Sequence, residues 1–179
     1  MYIKFESFQK IPRLSREIIV TEKIDGTNAQ ILILENGDII AGSRNRFITK
    51  ENDNYGFAGW VDRNKNELLK LGVGRHYGEW FGNGIQRGYG LKEKCFYLFN
   101  TKRWLDENKR PICCGVVPIL YQGVFDTKKI DDCLMNLKNN GSMAVNGFMK
   151  PEGIVIYHTA ANIFFKKTID NDDFRKSDI

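Results

Sequence analysis

Hydrophobic and polar positions repeat with two different periods along the chain, and the switches between them mark out its elements. The β-branched run "EIIVTE" (17–22) predicts a short strand. "AQILILENGDIIAGS" (29–43) predicts a hairpin, its two apolar runs flanking Asn36-Gly37, a pair that supplies the positive φ angles of a type I′ turn. "VDRNKNELLKLG" (61–72) predicts a helix with Val61, Leu68 and Leu69 on one face and Gly72 as its stop. Two aromatic-rich strands follow, "HYGEWFG" (76–82) and "KCFYLFNT" (94–101). In "TKKIDDCLMNLKNNG" (127–141), Ile130, Cys133, Leu134 and Leu137 recur at i, i+3, i+4 and i+7, which is a helix closed by Gly141. "GIVIYH" (153–158) and "NIFFKKTI" (162–169) predict a last strand pair. With no internal repeat, low-complexity tract or proline-rich linker, residues 1–179 read as one α+β domain built on antiparallel sheet.

Composition narrows the class. At 42% hydrophobic and 27% charged, the chain has the make-up of a soluble globular protein. No apolar run approaches the length that spans a bilayer, and the N-terminus "MYIKFESFQK" has no signal-peptide pattern. Cys95, Cys113, Cys114 and Cys133 form no CxxC pair, so reduced thiols and an intracellular protein without a membrane partner are expected. The net charge of +5 leans towards a polyanionic partner, but its basic pairs are scattered rather than gathered in one block.

The segment "GEWFGNGIQRGYG" (78–90) resembles a dinucleotide fingerprint only superficially. Gly82, Gly84 and Gly88 are spaced one residue too long for GxGxxG and no helix pattern follows, so a flexible surface loop beside a site is expected. His76 and His158, and Trp60, Trp80 and Trp104, read as packing residues. Asp170, Asp172 and Asp173 read as a solvated acidic end.

The chemistry centres on "TEKIDGTNAQ" (21–30), where Lys23 stands among Glu22, Asp25 and Gly26. By itself Lys-x-Asp-Gly fits a solvated turn as readily as a nucleophile. A free lysine is almost entirely protonated at neutral pH, and neighbouring carboxylates alone favour its charged form. Further cations converging on it would reverse that balance. Downstream, "SRNR" (43–46), "GEWFG" (78–82), "FYLFN" (96–100), "EGIVI" (152–156) and "FFKK" (164–167) supply an arginine, a carboxylate, aromatics, a second carboxylate and a lysine pair. These are groups that grip a nucleoside triphosphate and its metal.

In that order the set resembles the motifs of the covalent nucleotidyltransferases, the superfamily of DNA ligases, RNA ligases and mRNA capping enzymes. "FQKIPRL" followed by "VTEKIDGTNAQ" makes it most similar to the ATP-dependent RNA ligases, over residues 5 to 173. The resemblance implies an α+β nucleotidyltransferase (ATP-grasp-like ligase) domain with mainly antiparallel sheets flanked by a few helices. It implies ATP as co-substrate, Mg²⁺ or Mn²⁺, and RNA with 5′-phosphate and 3′-hydroxyl ends, with a separate RNA-binding or end-processing protein as a further partner. Lys23 would attack the α-phosphorus of ATP and hold AMP, with its neighbours Glu22 and Ile24 in the AMP-binding set. Asn28 would orient phosphate or metal-bound water, and Arg44 would contact ribose and the polynucleotide end. Glu79 would read a ribose hydroxyl or hold hydrated metal, and Glu152 would bind metal. Phe99 would stack on adenine, with Phe96 and Tyr97 close enough to compete for the role. Lys166 would bind the α-phosphate. The family's second lysine falls on Thr168, unless Lys167 replaces it.

The sequence ends at residue 179, shortly after Lys166, so neither the OB-fold of DNA ligases and capping enzymes nor the helical domain of RNA ligases is expected. A GTP-using capping enzyme, a DNA nick ligase and a non-catalytic nucleotide or RNA sensor are the alternatives.

Overall fold

Ten strands, numbered along the chain, divide between two sheets in a computed structural model that describes residues 3–170 and 172. The smaller sheet holds β1 (Glu17–Lys23), β8 (Ile119–Val124), β9 (Gly153–His158) and β10 (Ile163–Thr168) in the order β10-β9-β1-β8. The larger holds β2 (Thr27–Ile33), β3 (Ile39–Ser43), β4 (Phe47–Ile48), β5 (Gly74–Gly82), β6 (Lys94–Leu98) and β7 (Cys114–Val116), ordered β4-β3-β2-β5-β6-β7. Every pairing is antiparallel except β6 with β7. The α+β class follows directly, with four helices, α1 (Phe57–Arg63), α2 (Lys65–Leu68), α3 (Thr101–Trp104) and α4 (Thr127–Asn140). Among the described residues no helix is long and apolar enough to cross a membrane.

Strand alternation builds the two main cores. Ile18 and Val20 of β1, with Ile154 and Ile156 of β9, turn one face of the smaller sheet towards Cys133 and Leu137 of α4. The period-3.6 stripe of α4 is thus the lid on that face, and Asp126 caps the helix by accepting from the Lys128 and Lys129 N–H groups. The larger core gathers Ile31, Phe57, Trp80, Phe96, Leu98 and Trp104, with Trp60 packed against it. The tryptophans are therefore packing residues. Both histidines are buried, each donating from Nε2 at 2.8 Å to a carbonyl, His76 to Gly72 and His158 to Leu14.

Three local expectations change. Of Asn36 and Gly37 only Gly37 has positive φ, at 84°, and its N–H donates to the Leu34 carbonyl. A three-residue loop closed by a left-handed glycine therefore replaces the two-residue type I′ turn. The helix predicted over 61–72 starts earlier, at Phe57, and breaks at Asn64. A 3₁₀ turn, Leu69–Leu71, then buries Leu68 and Leu71 while Leu69 stays exposed. Residues 83–93 are not a loose surface loop, because Ile85 and Tyr89 are buried. Tyr89 packs at 4.3 Å from Phe148 and edge-on at 5.2 Å to Phe81. With Ile24 and Val117 these rings form a third core that joins the end of β1 to the larger sheet.

One buried carboxylate ties the chain after α4 to β1. Glu22 accepts from Ser142 Oγ at 2.6 Å, from the Met143 N–H at 2.7 Å and from the Ala144 N–H at 2.9 Å. Burial pushes its carboxyl up from the usual range, and the three hydrogen bonds pull the other way. Glu22→Ala is expected to lower stability by about 1–3 kcal/mol, because it leaves the buried Ser142 hydroxyl and the part-buried Met143 N–H without their acceptor. Urea unfolding of the two proteins checks this.

Candidate active site

Lys23 ends β1 opposite Gly153, the first residue of β9, so the register brings Glu152 beside it. Lys23 Nζ donates to Glu152 Oε2 at 2.5 Å, and the Glu152 carboxylate is nearly sealed from solvent. The bond turns the Lys23 amine towards the carboxylate that closes one side of the site. The next register step fixes the lysine pair. Lys166 faces Val155 and Thr168 faces Gly153, which puts both on the Lys23 side of the smaller sheet. Lys167 alternates to the α4 side, where it pairs with Asp131 at 2.7 Å. The expectation that Lys167 contacts nucleotide is therefore corrected: strand alternation turns it away, and Thr168 holds the position on the site face. Asp172, one of the supposed solvated acids, accepts from the Thr168 N–H at 2.8 Å. Asp173 lies outside the described residues.

The larger sheet supplies the opposite wall. Asn28 stands across from Glu79 between β2 and β5. Glu79 accepts from the Gly26 N–H at 3.0 Å and from Asn28 Nδ2 at 3.3 Å, while Asn28 Oδ1 accepts from Arg44 Nε at 2.9 Å. Gly26 cannot carry a side chain here, since a Cβ would lie 2.5 Å from the Trp80 carbonyl oxygen. Burial raises the Glu79 carboxyl to about 7; Lys23 and the Gly26 N–H oppose the rise, and Glu152 and Asp25 add to it. Lys23, Asp25, Glu79 and Glu152 thus share one electrostatic field.

Among the three aromatics, Phe96 is fully buried in the larger core and Tyr97 packs edge-on to Phe81 at 4.9 Å. Phe99 follows two residues after Tyr97, which pairs with Glu79, and the residue is 38% exposed. It is the most exposed of the three. Glu22 and Ile24 have side chains committed elsewhere, to the chain after α4 and to the third core, so only their backbone borders Lys23.

Reading the motifs one by one missed a clasp. Asp25 is buried, its N–H donating to Tyr89 Oη at 2.8 Å and its carboxylate pairing with Arg87 Nε at 3.0 Å. Burial also drives the Tyr89 phenol upward, keeping it neutral as an acceptor. The signal lay in "QRGYG", where an arginine and an aromatic sit inside the glycine-rich run.

The raised Glu79 carboxyl carries a pH signature. Its folded value exceeds its unfolded one, so between pH 4.5 and about 7 the native state binds more protons and stability falls as pH rises. The expected loss is up to about 3 kcal/mol across that window. Glu79→Gln should flatten this component, as denaturant titrations of both proteins from pH 4 to 8 would measure.

No curated protein matches the chain. Among solved structures, an alanine variant of Naegleria gruberi RNA ligase with ATP and Mn superposes with TM-score 0.64 at 21% identity, covering 88% of this chain and 51% of that one. An alanine variant with AMP and Mn gives 0.62 at 22%, covering 86% and 49%, and an apo variant gives 0.62 at 22%, covering 86% and 50%. The likeness is one of fold, and this chain spans about half the length of those proteins. The RNA ligase family model matches residues 16–171, nearly the whole of both sheets, and the chain belongs to the RNA ligase family.

Proposed function

We propose that this chain is an ATP-dependent RNA-joining nucleotidyltransferase in which Lys23 is the covalent nucleophile. The observation that carries this reading is the Lys23–Glu152 pair, which lies across from Glu79 and on the same sheet face as Lys166. Once deprotonated, the Lys23 amine attacks the α-phosphorus of ATP. A P–N bond forms and the P–O bond to pyrophosphate breaks, leaving AMP on the lysine. An oxygen of an RNA 5′-phosphate then attacks that phosphorus and displaces the lysine. Attack of a 3′-hydroxyl on the activated 5′-phosphate makes the phosphodiester and releases AMP.

Each wall has its part. Lys166 meets the negative charge gathering on the α-phosphate. Phe99 stacks on the adenine. Asn28 and Arg44, linked to Glu79 by hydrogen bonds, hold ribose and phosphate oxygens. Among the described residues no three His, Cys, Asp or Glu side chains converge as a metal cage. The donors nonetheless suit a hydrated hard cation, which takes one or two carboxylates and keeps several waters. Glu79 and Glu152 would hold it, and its charge would neutralise phosphate oxygens and draw Glu152 away from Lys23. The Naegleria gruberi RNA ligase variants with ATP and Mn fit this choice.

Incubation with α-labelled ATP and a divalent cation is expected to label the protein covalently, and Lys23→Ala to abolish the label. Excess unlabelled GTP should not compete; if GTP rather than ATP labels Lys23, the site is of capping type. Lys166→Ala should slow labelling by about 10²–10³. Lys167→Ala should label at the wild-type rate, because Lys167 lies on the far sheet face.

A further inference from the structure

Beyond the ends of β1, β9 and β10 a second feature adjoins the site. A cavity of about 300 Å³ opens there, lined by Arg87, Lys138, Lys150 and Asp170, with Pro151 and Ile169 among its apolar residues. Its cations come from three separate segments: the glycine-rich run, the last turn of α4 and the chain leading into β9. Arg87 is already paired with Asp25, so Lys138 and Lys150 against Asp170 leave the concavity an excess of positive charge, which suits an anion.

One of these cations differs from scattered surface charge. Arg87 is fixed in place, donating from Nε to Asp25 at 3.0 Å and from Nη1 to the Lys150 carbonyl at 3.0 Å. Lys138 and Lys150, like most of the described lysines, have no ion-pair partner among the described residues. Two unneutralised ammonium groups and an anchored guanidinium therefore face one space.

The cavity is also coupled to the reacting centre through backbone. Pro151 precedes Glu152 in the chain, Ile169 donates its N–H to the Glu152 carbonyl at 2.9 Å, and Arg87 holds the aspartate two residues after Lys23. An anion bound here lies on the strand ends that carry Lys23 and Glu152, outside the cleft walls formed by Glu79, Asn28 and Phe99.

We propose that this cavity is a polynucleotide-phosphate site, taking a backbone phosphate of the RNA strand near the end to be joined. The inference rests on the RNA-joining reading above. Phosphate charge could come from the strand or from ATP itself, and the position beyond the nucleotide walls assigns it to the strand.

The test uses the chain as it stands, in wild-type, K138A, K150A and double-variant forms. Each is titrated with a fluorescent 5′-phosphorylated single-stranded RNA over a salt series, and each is labelled in parallel with α-labelled ATP. Every lysine removed should lower the slope of log affinity against log salt by about 0.7. The double variant should bind RNA roughly tenfold more weakly at low salt. Lys23 labelling should match wild type, which also shows that the variants fold. Unchanged slopes with normal labelling overturn the phosphate site and leave the adenylyl-transfer reading intact. Slowed labelling with unchanged slopes assigns the cavity to the phosphates of ATP and likewise overturns the proposal. Wild-type protein that never labels overturns the functional reading, and the slopes judge the cavity independently.

Discussion

The contact between Lys23 and Glu152 organises this molecule. A buried carboxylate without a partner is costly, and Lys23 supplies that partner. The 2.5 Å pair therefore meets a structural need. It exists because β1 and β9 lie side by side with Gly153 opposite Lys23, although 129 residues separate the partners in the chain. The same register carries into β10 and sets the sheet faces, Lys166 on the Lys23 side and Lys167 on the α4 side.

Two further ties keep that strand end in place. Glu22, one residue before Lys23, anchors the chain after α4, and Asp25, two residues after it, is clasped by Arg87 and Tyr89. Successive residues of the motif thus point in different directions and bind different layers. Lys23 faces Glu152, Glu22 faces the α4 side and Ile24 enters the third core beside Phe81 and Tyr89. The acids around the lysine are thus divided among distinct structural duties.

Most of the fold was legible because its elements follow simple periods. The stripe Ile130, Cys133, Leu134 and Leu137 yields α4, and the alternation in "GIVIYH" and "NIFFKKTI" yields the β9–β10 pair. Where reading by pattern failed, tertiary contacts had overruled local propensity. Asn36-Gly37 suits a type I′ turn, yet the loop closes over three residues; the glycine-rich 83–93 segment looks mobile, yet Ile85 and Tyr89 bury it. Among the residues that the motif order singled out, Lys23 meets Glu152, and Asn28 links Glu79 to Arg44. The Arg87–Asp25 clasp and the outward turn of Lys167 were not visible, since each depends on which residues oppose one another across a sheet or loop. Phe99 could be separated from Phe96 and Tyr97 only by exposure.

The central claim is that Lys23, released from Glu152, forms a bond to AMP. Tandem mass spectrometry of the protein after incubation with ATP and a divalent cation, mapping the modified peptide, tests it most directly. One AMP adduct is expected on Lys23, labile in acid as a phosphoramide is, and absent in Glu152→Lys. An adduct on any other residue, or an unmodified Lys23 in folded protein, would contradict it.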